Sequence, residues 1–302
     1  MKINQLKNLL NDFGEDVKFN FDLKKKNWFN IGGKSKVFFK AVNLKNLVNF
    51  LKKLNNGEKI FILGAGSNLL ITDNIFDGVV IKLGKDFNNI SCLNDDILIA
   101  GSGVLDKSLS EFAMNNNLSG FEFLSCIPGT IGGGIKMNAG CFGKEFKDIL
   151  LSVQAIDKSG NVITIPKKDI LFDYRKNNLS SDLIFLSASF KGKKSNSLKI
   201  KKEINMLKAK KNKNQPTKIK TSGSTFKNPI DQTKKKVWQL IEESVSLDKS
   251  FGDACISKKH CNFFVNKGNA SFKDMLQLIN FVSEKVLEKT GISLEKEIKI
   301  LE

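Results

Sequence analysis

A glycine-rich segment at residues 127–143, IPGTIGGGIKMNAGCFG, constrains the fold of this chain more than any other feature. Glycine loses more backbone freedom on folding than any other residue, so this density is costly unless the main chain must turn tightly or approach a bulky group. A cluster of structural turns is one interpretation. The other, which we favour, is a loop that binds a phosphate or pyrophosphate through backbone N–H groups.

A second glycine loop supports anion binding. The segment GAGSN at residues 64–68 follows an apolar strand directly. The dinucleotide fingerprint of a Rossmann fold needs another glycine where Leu69 stands, and Lys136 lies outside the G-K-[ST] context of a P-loop. The sequence therefore favours anion-binding loops of a different kind.

Charge and composition limit the partners of this chain. Its 302 residues carry a formal charge of +18 at pH 7, which suits nucleic acid, a membrane surface or anionic small molecules. The lysines are scattered, and no nucleic-acid-binding signature occurs, so we predict no nucleic-acid partner. No apolar run reaches the roughly 20 residues of a membrane span, and the first residues contain no apolar signal region. We expect a cytoplasmic protein with no membrane partner.

Cysteine and histidine usage argues against a metal centre. The five cysteines form no C-x-x-C pair, and His260 is the only histidine, which excludes the usual zinc ligand sets. We expect reduced, structural thiols and no metal site.

Short apolar segments separated by turns predict an α+β fold. The predicted strands are KVFFKAV, KIFILGAGSNLLIT, GVVIKLG, DILIAGSG, LLSVQAID, NVITIP and DLIFLSASF. Helices are predicted at 44–54 and 106–117. The apolar face of the second would consist of Leu105, Leu109, Phe112 and Ala113.

A lysine-rich stretch at residues 193–215 predicts a basic connector helix that ends before Pro216. Ser197 is its predicted N-cap. The residues at helical spacing on its apolar face are Ile200, Ile204 and Leu207.

A smaller module with two helices follows the connector. In the first helix, Trp238 and Ile241 should face inward. The second should begin after Ser271, carry Asp274 at its third position, and end at Gly291. Its buried face would consist of Met275, Leu278, Ile279, Val282 and Val286.

Arg175 is the single arginine among 49 basic residues, and the single tyrosine, Tyr174, precedes it. Lysine serves this chain wherever a bare positive charge suffices. An isolated arginine therefore suggests a need for the planar guanidinium, which can engage two carboxylate oxygens at once. Chance is the alternative explanation.

Two polar segments near the carboxyl end contain further candidates. TSGSTFKNP places Ser222 and Ser224 around a glycine without forming a G-x-S-x-G elbow. His260 could serve as a base for Ser224 or Cys141, but nothing completes a triad, so hydrolysis is a weak option. In GISLEKEIKILE, we expect Glu295 and Glu297 on one face of a final strand.

These segments together resemble one family, the UDP-N-acetylenolpyruvoylglucosamine reductases (MurB) of peptidoglycan precursor synthesis. Each motif alone is weak, but the ordered set covers nearly the whole chain and is specific. The matching segments are IGG at 31–33, GAGSNLL at 64–70, IPGTIGGGIKMNAGCFG at 127–143, DYR at 173–175, SGSTFKNP at 222–229, SKKHCNFFVN at 257–266 and LEKEI at 294–298.

The resemblance implies an FAD-binding fold of the PCMH/vanillyl-alcohol-oxidase type in two subdomains, followed by an α+β substrate domain. The implied boundaries are an N-terminal helical segment at 1–17, the FAD-binding domain at 18–192 with subdomains at about 18–90 and 91–192, the connector helix at 193–215 and the substrate-binding domain at 216–302. FAD would lie against backbone donors of the two glycine loops. The implied FAD-binding residues are Gly64, Ala65, Gly66, Ser67, Asn68, Leu69, Pro128, Gly129, Thr130, Gly132, Gly133, Asn138 and Gly140.

The family's reaction is NADPH-dependent reduction of an enolpyruvyl ether to a lactyl ether on a UDP-sugar. Carried over by motif, Arg175 would stabilise the developing enolate, Ser224 would protonate it, and Glu297 would assist. Implied substrate contacts are Tyr174, Lys227 and Asn228. We expect a monomer whose partners are the UDP-sugar and NADPH.

The chain departs from the family pattern at several positions. Gly134 and Cys141 stand where alanine is usual, Lys26-Asn27 replaces an Asn-Thr pair, and Asp253 and Cys255 lie in a segment that often reads Gly-Gly-Ala-Gln in the family. No second tyrosine exists to close a loop over substrate, which places the chain in a shorter subclass. Two alternatives stay open: another FAD-linked oxidoreductase of this fold, and a basic binding protein without chemistry.

Overall fold

The computed structural model describes residues 3–54 and 57–302, with side chains from residue 8 onward in the first helix. Within these residues the α-helices are α1 (Ile3–Phe13), α2 (Leu44–Lys53), α3 (Asp106–Asn115), α4 (Ile131–Lys136), α5 (Ser197–Asn214), α6 (Val237–Ser244) and α7 (Phe272–Thr290). Short 3₁₀ helices lie at Gly14–Asp16, Lys24–Lys26, Lys85–Phe87, Glu122–Cys126, Phe146–Asp148 and Lys167–Asp169. In this described part of the chain, no helix combines the length and apolar character needed to cross a membrane.

The strands confirm the predicted mixture of helix and sheet. They are β1 (Val17–Asp22), β2 (Lys34–Ala41), β3 (Ile60–Ile62), β4 (Leu69–Ile71), β5 (Phe76–Leu83), β6 (Ile90–Leu93), β7 (Ile97–Gly101), β8 (Leu118–Ser119), β9 (Gly140–Cys141), β10 (Lys144–Glu145), β11 (Leu150–Ile156), β12 (Val162–Pro166), β13 (Phe172–Asp173), β14 (Lys176–Asn177), β15 (Ile184–Lys191), β16 (Lys193–Lys194), β17 (Ser250–Phe251), β18 (Ala254–Ile256), β19 (Phe264–Asn266) and β20 (Lys299–Leu301).

The chain forms two compact units. The first comprises residues 1–19, 37–65 and 77–211, and the second comprises 20–36, 66–76 and 212–302. The domain boundaries implied by the family resemblance stay a prediction.

The first unit is built on two sheets, each with its own apolar core. A five-stranded antiparallel sheet has the order β12-β11-β15-β7-β6. The other has the order β1-β2-β5-β3, with β3 parallel to β5. Phe39 and Phe50 stack in its core with ring centroids 3.7 Å apart, which fixes α2 against this sheet.

The second unit packs α6 and α7 around a common core with the antiparallel sheet β17-β18-β19. The final strand β20 pairs in parallel with β4, so the carboxyl end of the chain lies beside the segment that follows the first glycine loop. This pairing is long-range and has no local sequence signal.

Helix α7 confirms its predicted boundaries. Ser271 and Asp274 form a reciprocal capping box, and Gly291 ends the helix with a φ of 71°, a backbone conformation that favours glycine. The five predicted apolar residues are all buried. The helical spacing of the apolar residues was sufficient to predict their burial, because one face of a long helix covers a continuous core.

Three expectations about single helix residues are wrong. Helix α5 begins at Ser197 itself, and Asn196 caps it, because the Asn196 Oδ1 accepts the Leu198 N–H at 2.8 Å. Leu105 lies before α3 and is 41% exposed, and Trp238 is also 41% exposed on α6. In α3 the buried row instead contains polar Asp106 and Ser110 beside Leu109 and Ala113.

Gly134 lies under an aromatic ring. A methyl group at this position would be 2.3 Å from two ring carbons of Phe146. The Phe146 ring is fully buried and makes edge contacts with Phe123 and Phe190, so it has little room to move. Phe146 thus occupies the space that the usual alanine side chain of the family would need.

Gly134→Ala should therefore lower the free energy of unfolding by about 1–3 kcal/mol, as expected for overpacking. Gly133→Ala is the matched control in the same helix, because its methyl would meet Thr130 Oγ1 at an ordinary 3.5 Å. Urea unfolding measures the stability of both variants against wild type. Equal stability of Gly134→Ala and wild type would contradict the packing argument.

Candidate functional site

The two glycine loops meet in the first unit. A methyl group at Gly64 would lie 2.8 Å from Thr130 Oγ1, a separation that only glycine permits without displacement. Thr130 is buried, whereas Pro128 and Gly133 are exposed and Gly64, Ala65, Gly129 and Gly132 are partly exposed. The surface of the paired loops therefore consists mainly of backbone and small side chains.

The first loop continues into the second unit, where Gly66 is held tightly. Its φ is 68°, and a methyl group there would lie 2.1 Å from the Lys26 carbonyl oxygen. The Trp28 N–H donates to the Gly66 carbonyl at 3.0 Å. The buried Asn27 side chain donates to the carbonyls of Leu23 and Ile31, which fixes the opposing segment. Lys26 and Asn27, which replace an Asn-Thr pair of the family pattern, are thus compatible with this first glycine loop.

The second loop pairs with the segment before α3. The Ile131 N–H donates to Val104 O and the Gly132 N–H donates to Ser102 O, both at 2.9 Å. These two donors are already satisfied within the protein. Any anion at this loop would therefore depend on its other N–H groups, such as those of Thr130 and Gly133.

Asp106 is a buried acid behind this loop, and sequence reasoning did not predict a role for it. Its side chain is fully buried, and neither carboxyl oxygen accepts a hydrogen bond of good geometry from the described residues. A methyl group at Gly129 would lie 2.5 Å from Asp106 Oδ2. Burial raises the pKa of this carboxyl well above its ordinary 3.8, and the backbone of Gly129 partly opposes the shift.

Asp106 should make stability depend on pH. Unfolding lets the carboxyl ionise at its ordinary pKa, so between 3.8 and the raised folded-state pKa the wild-type protein loses stability as pH rises. Asp106→Asn keeps the size and removes the ionisation. Its advantage in unfolding free energy over wild type should grow by up to about 1.4 kcal/mol per pH unit.

Urea unfolding at several values between about pH 5 and pH 8 measures this difference. Asp95→Asn, at a carboxylate that is 90% exposed, controls for the loss of one negative charge. Parallel pH profiles for Asp106→Asn and wild type would contradict the linkage argument.

Tyr174 and Arg175 form the two-residue tip of a hairpin between β13 and β14. Arg175 has a φ of 57°, an unusual conformation for a residue with a side chain. Its guanidinium lies over the Tyr174 ring at 5.0 Å from the centroid, and its Nη2 donates to the Gly140 carbonyl at 2.9 Å. The arginine is thus positioned beside the glycine-rich segment.

Glu145 contacts both Arg175 and Asn138, although its place just after the glycine-rich segment was the only sequence signal for it. Its Oε1 lies 3.8 Å from Arg175 Nη1, and its Oε2 accepts from Asn138 Nδ2 at 3.0 Å and from Lys147 Nζ at 2.8 Å. Asn138 also donates to Asp173 O and accepts the Lys147 N–H. Its fully buried side chain is therefore committed to protein contacts, and only its backbone is available to FAD.

Ser224 occupies an extended segment of the second unit that is fixed on both sides. It pairs with Phe263 in an isolated bridge, and the next residue, Thr225, donates to Asn262 O and accepts the Glu297 N–H, both at 2.8 Å. Asn262 also bonds both backbone groups of Phe226. The backbone that carries the Ser224 hydroxyl is consequently well fixed.

Its neighbour Ser222 differs in its surroundings. Ser222 is 2% exposed and its hydroxyl donates to Leu69 O at 3.0 Å, whereas Ser224 is partly exposed. The structure therefore distinguishes a structural serine from an accessible one, a distinction that the TSGST sequence alone does not make.

The acidic pair near the carboxyl end does not lie on the final strand, which corrects the prediction. β20 begins at Lys299, after both glutamates. Glu295 is exposed and pairs with Lys227 Nζ at 2.5 Å. Glu297 is partly buried, and its carbonyl accepts from Asn68 Nδ2 at 3.1 Å. Backbone pairing therefore brings Glu297 and the Ser224 segment together.

Other predicted residues of the second unit have structural contacts. Lys227 is 7% exposed, and Asn228 Oδ1 accepts the N–H of Val237 at the start of α6. His260 accepts the Asn262 N–H at Nδ1, and burial lowers its pKa. Asp253 Oδ2 accepts the Asn269 N–H at 2.8 Å and so stabilises a turn. These contacts favour a structural role for His260 and Asp253.

The residues of the two loops fit a bound dinucleotide cofactor. Their close backbone packing, small side chains and partly exposed surface are the features that a pyrophosphate and ribityl chain need. No group of histidine, cysteine or acidic side chains in residues 3–54 and 57–302 is arranged to hold a metal ion.

Comparisons with known proteins agree with a cofactor-binding site at the glycine loops. Residues 35–166 match the model of an FAD binding domain, and residues 215–301 match the UDP-N-acetylenolpyruvoylglucosamine reductase C-terminal domain. The chain is 65% identical over 301 residues to the protein named UDP-N-acetylenolpyruvoylglucosamine reductase of Pelagibacter ubique, with 100% of both chains covered. It is 48% identical over 279 residues to that of Rickettsia bellii, covering 92% of this chain and 91% of the relative.

A solved structure confirms the predicted fold class. The crystal structure of UDP-N-acetylenolpyruvylglucosamine reductase (MurB) from Thermus caldophilus matches with a TM-score of 0.80 and 29% identity, covering 95% of this chain and 98% of that one. With the FAD-binding match, this confirms the PCMH-type fold and the enzyme class predicted from the motifs. The chain belongs to the UDP-N-acetylenolpyruvoylglucosamine reductase family of FAD-binding oxidoreductases.

Proposed function

We propose that this protein reduces the enolpyruvyl ether of UDP-N-acetyl-3-O-(1-carboxyvinyl)glucosamine to UDP-N-acetylmuramate, with FAD as cofactor and NADPH as co-substrate. The observation that carries the proposal is the placement of Arg175 on a constrained hairpin tip, with its guanidinium against Gly140 at the end of the glycine-rich segment. A fixed guanidinium beside cofactor-binding loops suits a substrate whose carboxylate gains charge during the reaction.

Bound FAD would supply the hydride-transfer chemistry that no protein side chain offers. The protein holds it through the two glycine loops, with the N–H groups of the second loop not used by Ile131 and Gly132 as candidate donors to the pyrophosphate. Asn68 contributes on the other side of the first loop, where its amide is already oriented by Glu297 O.

Arg175 binds the substrate carboxylate and stabilises it as negative charge spreads into it from the adjacent carbon. Ser224 gives its proton to that carbon, and Glu297 assists by hydrogen bonding or proton donation. Tyr174 lines the Arg175 side of this site, and Lys227 and Asn228 contact the polar substrate. Glu295 keeps the Lys227 ammonium in place.

The single histidine does not favour a hydrolase, because Nδ1 of His260 is engaged by its own segment. Another FAD-linked oxidation in the same fold is the competing function. Cytoplasmic location, a monomeric state and preference for NADPH are further predictions.

Two measurements test the proposal. The purified protein should show flavin absorbance, and NADPH oxidation should depend on the enolpyruvyl UDP-sugar. A protein unable to take up FAD would exclude any flavin-dependent function. Turnover of unrelated alcohols, without turnover of the enolpyruvyl UDP-sugar, would favour the competing oxidoreductase.

A further inference from the structure

Lys82, on strand β5, holds the peptide group at the start of the first glycine loop. Its Nζ donates to the Gly64 carbonyl oxygen at 2.5 Å, and its side chain is partly buried. Gly64 also lies against the Thr130 hydroxyl of the second loop, so closely that a methyl group at Gly64 would be displaced. Two contacts from distant segments therefore fix this peptide group.

Strand pairing explains why Lys82 reaches the loop. β3 pairs in parallel with β5, and the Leu63 N–H continues this pairing by donating to Ile81 O at 2.9 Å. Gly64 and Lys82 are the next residues along the two paired segments. On β5, Ile81 and Leu83 are buried in the core that contains α2. Because side chains alternate along a strand, Lys82 lies on the opposite face of the sheet, where its Nζ meets the loop.

The contact sets the direction of the next backbone donor. The peptide bond between Gly64 and Ala65 is trans, so the Ala65 N–H points away from the carbonyl that Lys82 engages. Ala65 is partly exposed, and within residues 3–54 and 57–302 its N–H donates to no backbone carbonyl. Hydrogen bonds in a chain polarise one another, so an ammonium group on the carbonyl makes the N–H of the same peptide a stronger donor to an anion.

We propose that Lys82 is a positioning residue for the cofactor: it holds and polarises the Gly64–Ala65 peptide so that the Ala65 N–H binds the pyrophosphate of FAD. This role rests on the proposed binding of FAD at the two glycine loops. Lys82 acts through the peptide, because its ammonium group lies on the carbonyl side and the anion would lie on the N–H side. The residue belongs to a strand outside both loops, so neither glycine motif identifies it.

The affinity of the FAD-loaded protein for its cofactor tests this role. Lys82→Met removes the charged donor, and FAD release on dilution, followed by flavin fluorescence, should give a dissociation constant raised about 10- to 100-fold, as expected for a lost charge-assisted hydrogen bond. Lys82→Gln should raise it about 3- to 10-fold, because a neutral donor bonds about half as strongly. Lys40→Met is the matched control, since it removes an exposed cation from β2 of the same sheet and should leave FAD affinity unchanged.

Hydrogen–deuterium exchange in excess FAD locates the effect. We expect faster exchange in peptides covering residues 64–68 of Lys82→Met, with unchanged exchange in α2 and β2, because the loss is confined to one peptide group of the loop. Wild-type FAD affinity in Lys82→Met would overturn the proposal. Weaker FAD binding with faster exchange throughout α2 and β2 would also overturn it, because it would show that Lys82 stabilises the sheet as a whole.

Lys82→Gln decides the question if Lys82→Met does not fold, since wild-type FAD affinity in Lys82→Gln would equally overturn the proposal. Weaker FAD binding confined to the loop would support the role of Lys82 even in a protein that does not reduce the enolpyruvyl UDP-sugar. Unchanged FAD binding would overturn it even in an active reductase, so the two proposals can fail separately.

Discussion

Arg175→Lys should lower kcat by roughly two orders of magnitude, which corresponds to about 3 kcal/mol of transition-state stabilisation. In the structure the guanidinium places one nitrogen on Gly140 O and another 3.8 Å from Glu145, while its plane lies over Tyr174. Lysine has the charge but no planar fork, so it cannot keep these contacts and engage both substrate carboxylate oxygens as well.

Steady-state kinetics measures the loss, and flavin absorbance checks that FAD is retained. Lys176→Ala is the matched control, because it removes an exposed cation from the same hairpin, whose Nζ lies 3.0 Å from Asp173 Oδ2. Near-normal kcat in Arg175→Lys would show that a point charge suffices. Because Glu145 and Arg175 are in contact, Glu145→Gln and Arg175→Lys should be non-additive when combined.

Ser224→Ala should separate the two halves of the reaction. We expect NADPH to reduce the bound flavin at close to the wild-type rate, while product formation falls by about 10²- to 10⁴-fold, because the proposed proton donor has been removed. A hydroxyl is a weak acid and contributes only when it is accurately placed, and the Ser224 backbone is fixed by its pairing with Phe263 and by the bonds of Thr225.

Stopped-flow absorbance of the flavin follows each half-reaction separately. Ser222→Ala is the control, since its buried hydroxyl bonds Leu69 O and its removal should affect stability more than the oxidative half-reaction. Equal loss in both half-reactions of Ser224→Ala would show that Ser224 is not the proton donor.

A helix or strand could be predicted where the residues that cause it all lie within one short segment. Helix α7 shows this, because its capping box, apolar row and terminal glycine all lie within one segment. The expectations about burial were wrong where the exposure of a side chain depends on residues from distant parts of the chain. Trp238 is exposed although its residue type suggests burial, and Asp106 is buried although its residue type suggests exposure.

The residues of the candidate site likewise divide into those predictable from the sequence and those whose role depends on contacts in space. Arg175 and Ser224 were predicted because ordered motifs identify the family, but Glu145 was not, since its role depends on contacts with Arg175, Asn138 and Lys147. Glu295 and Glu297 have the same residue type and nearly the same position. The long-range ion pair of Glu295 with Lys227 and the partial burial of Glu297 distinguish their surroundings.

The sequence alone determined the family, the α+β class, the two glycine loops and the identity of the residues proposed to bind and react. Only the tertiary structure decided which of these side chains are already committed to protein contacts, as Asn138 is, and which distant residues meet, as Arg175 and Gly140 do. The physical reason is that glycine density, charge and helical period are properties of a segment. Burial, hydrogen-bond partners and pKa shifts depend on atoms brought together from distant parts of the chain.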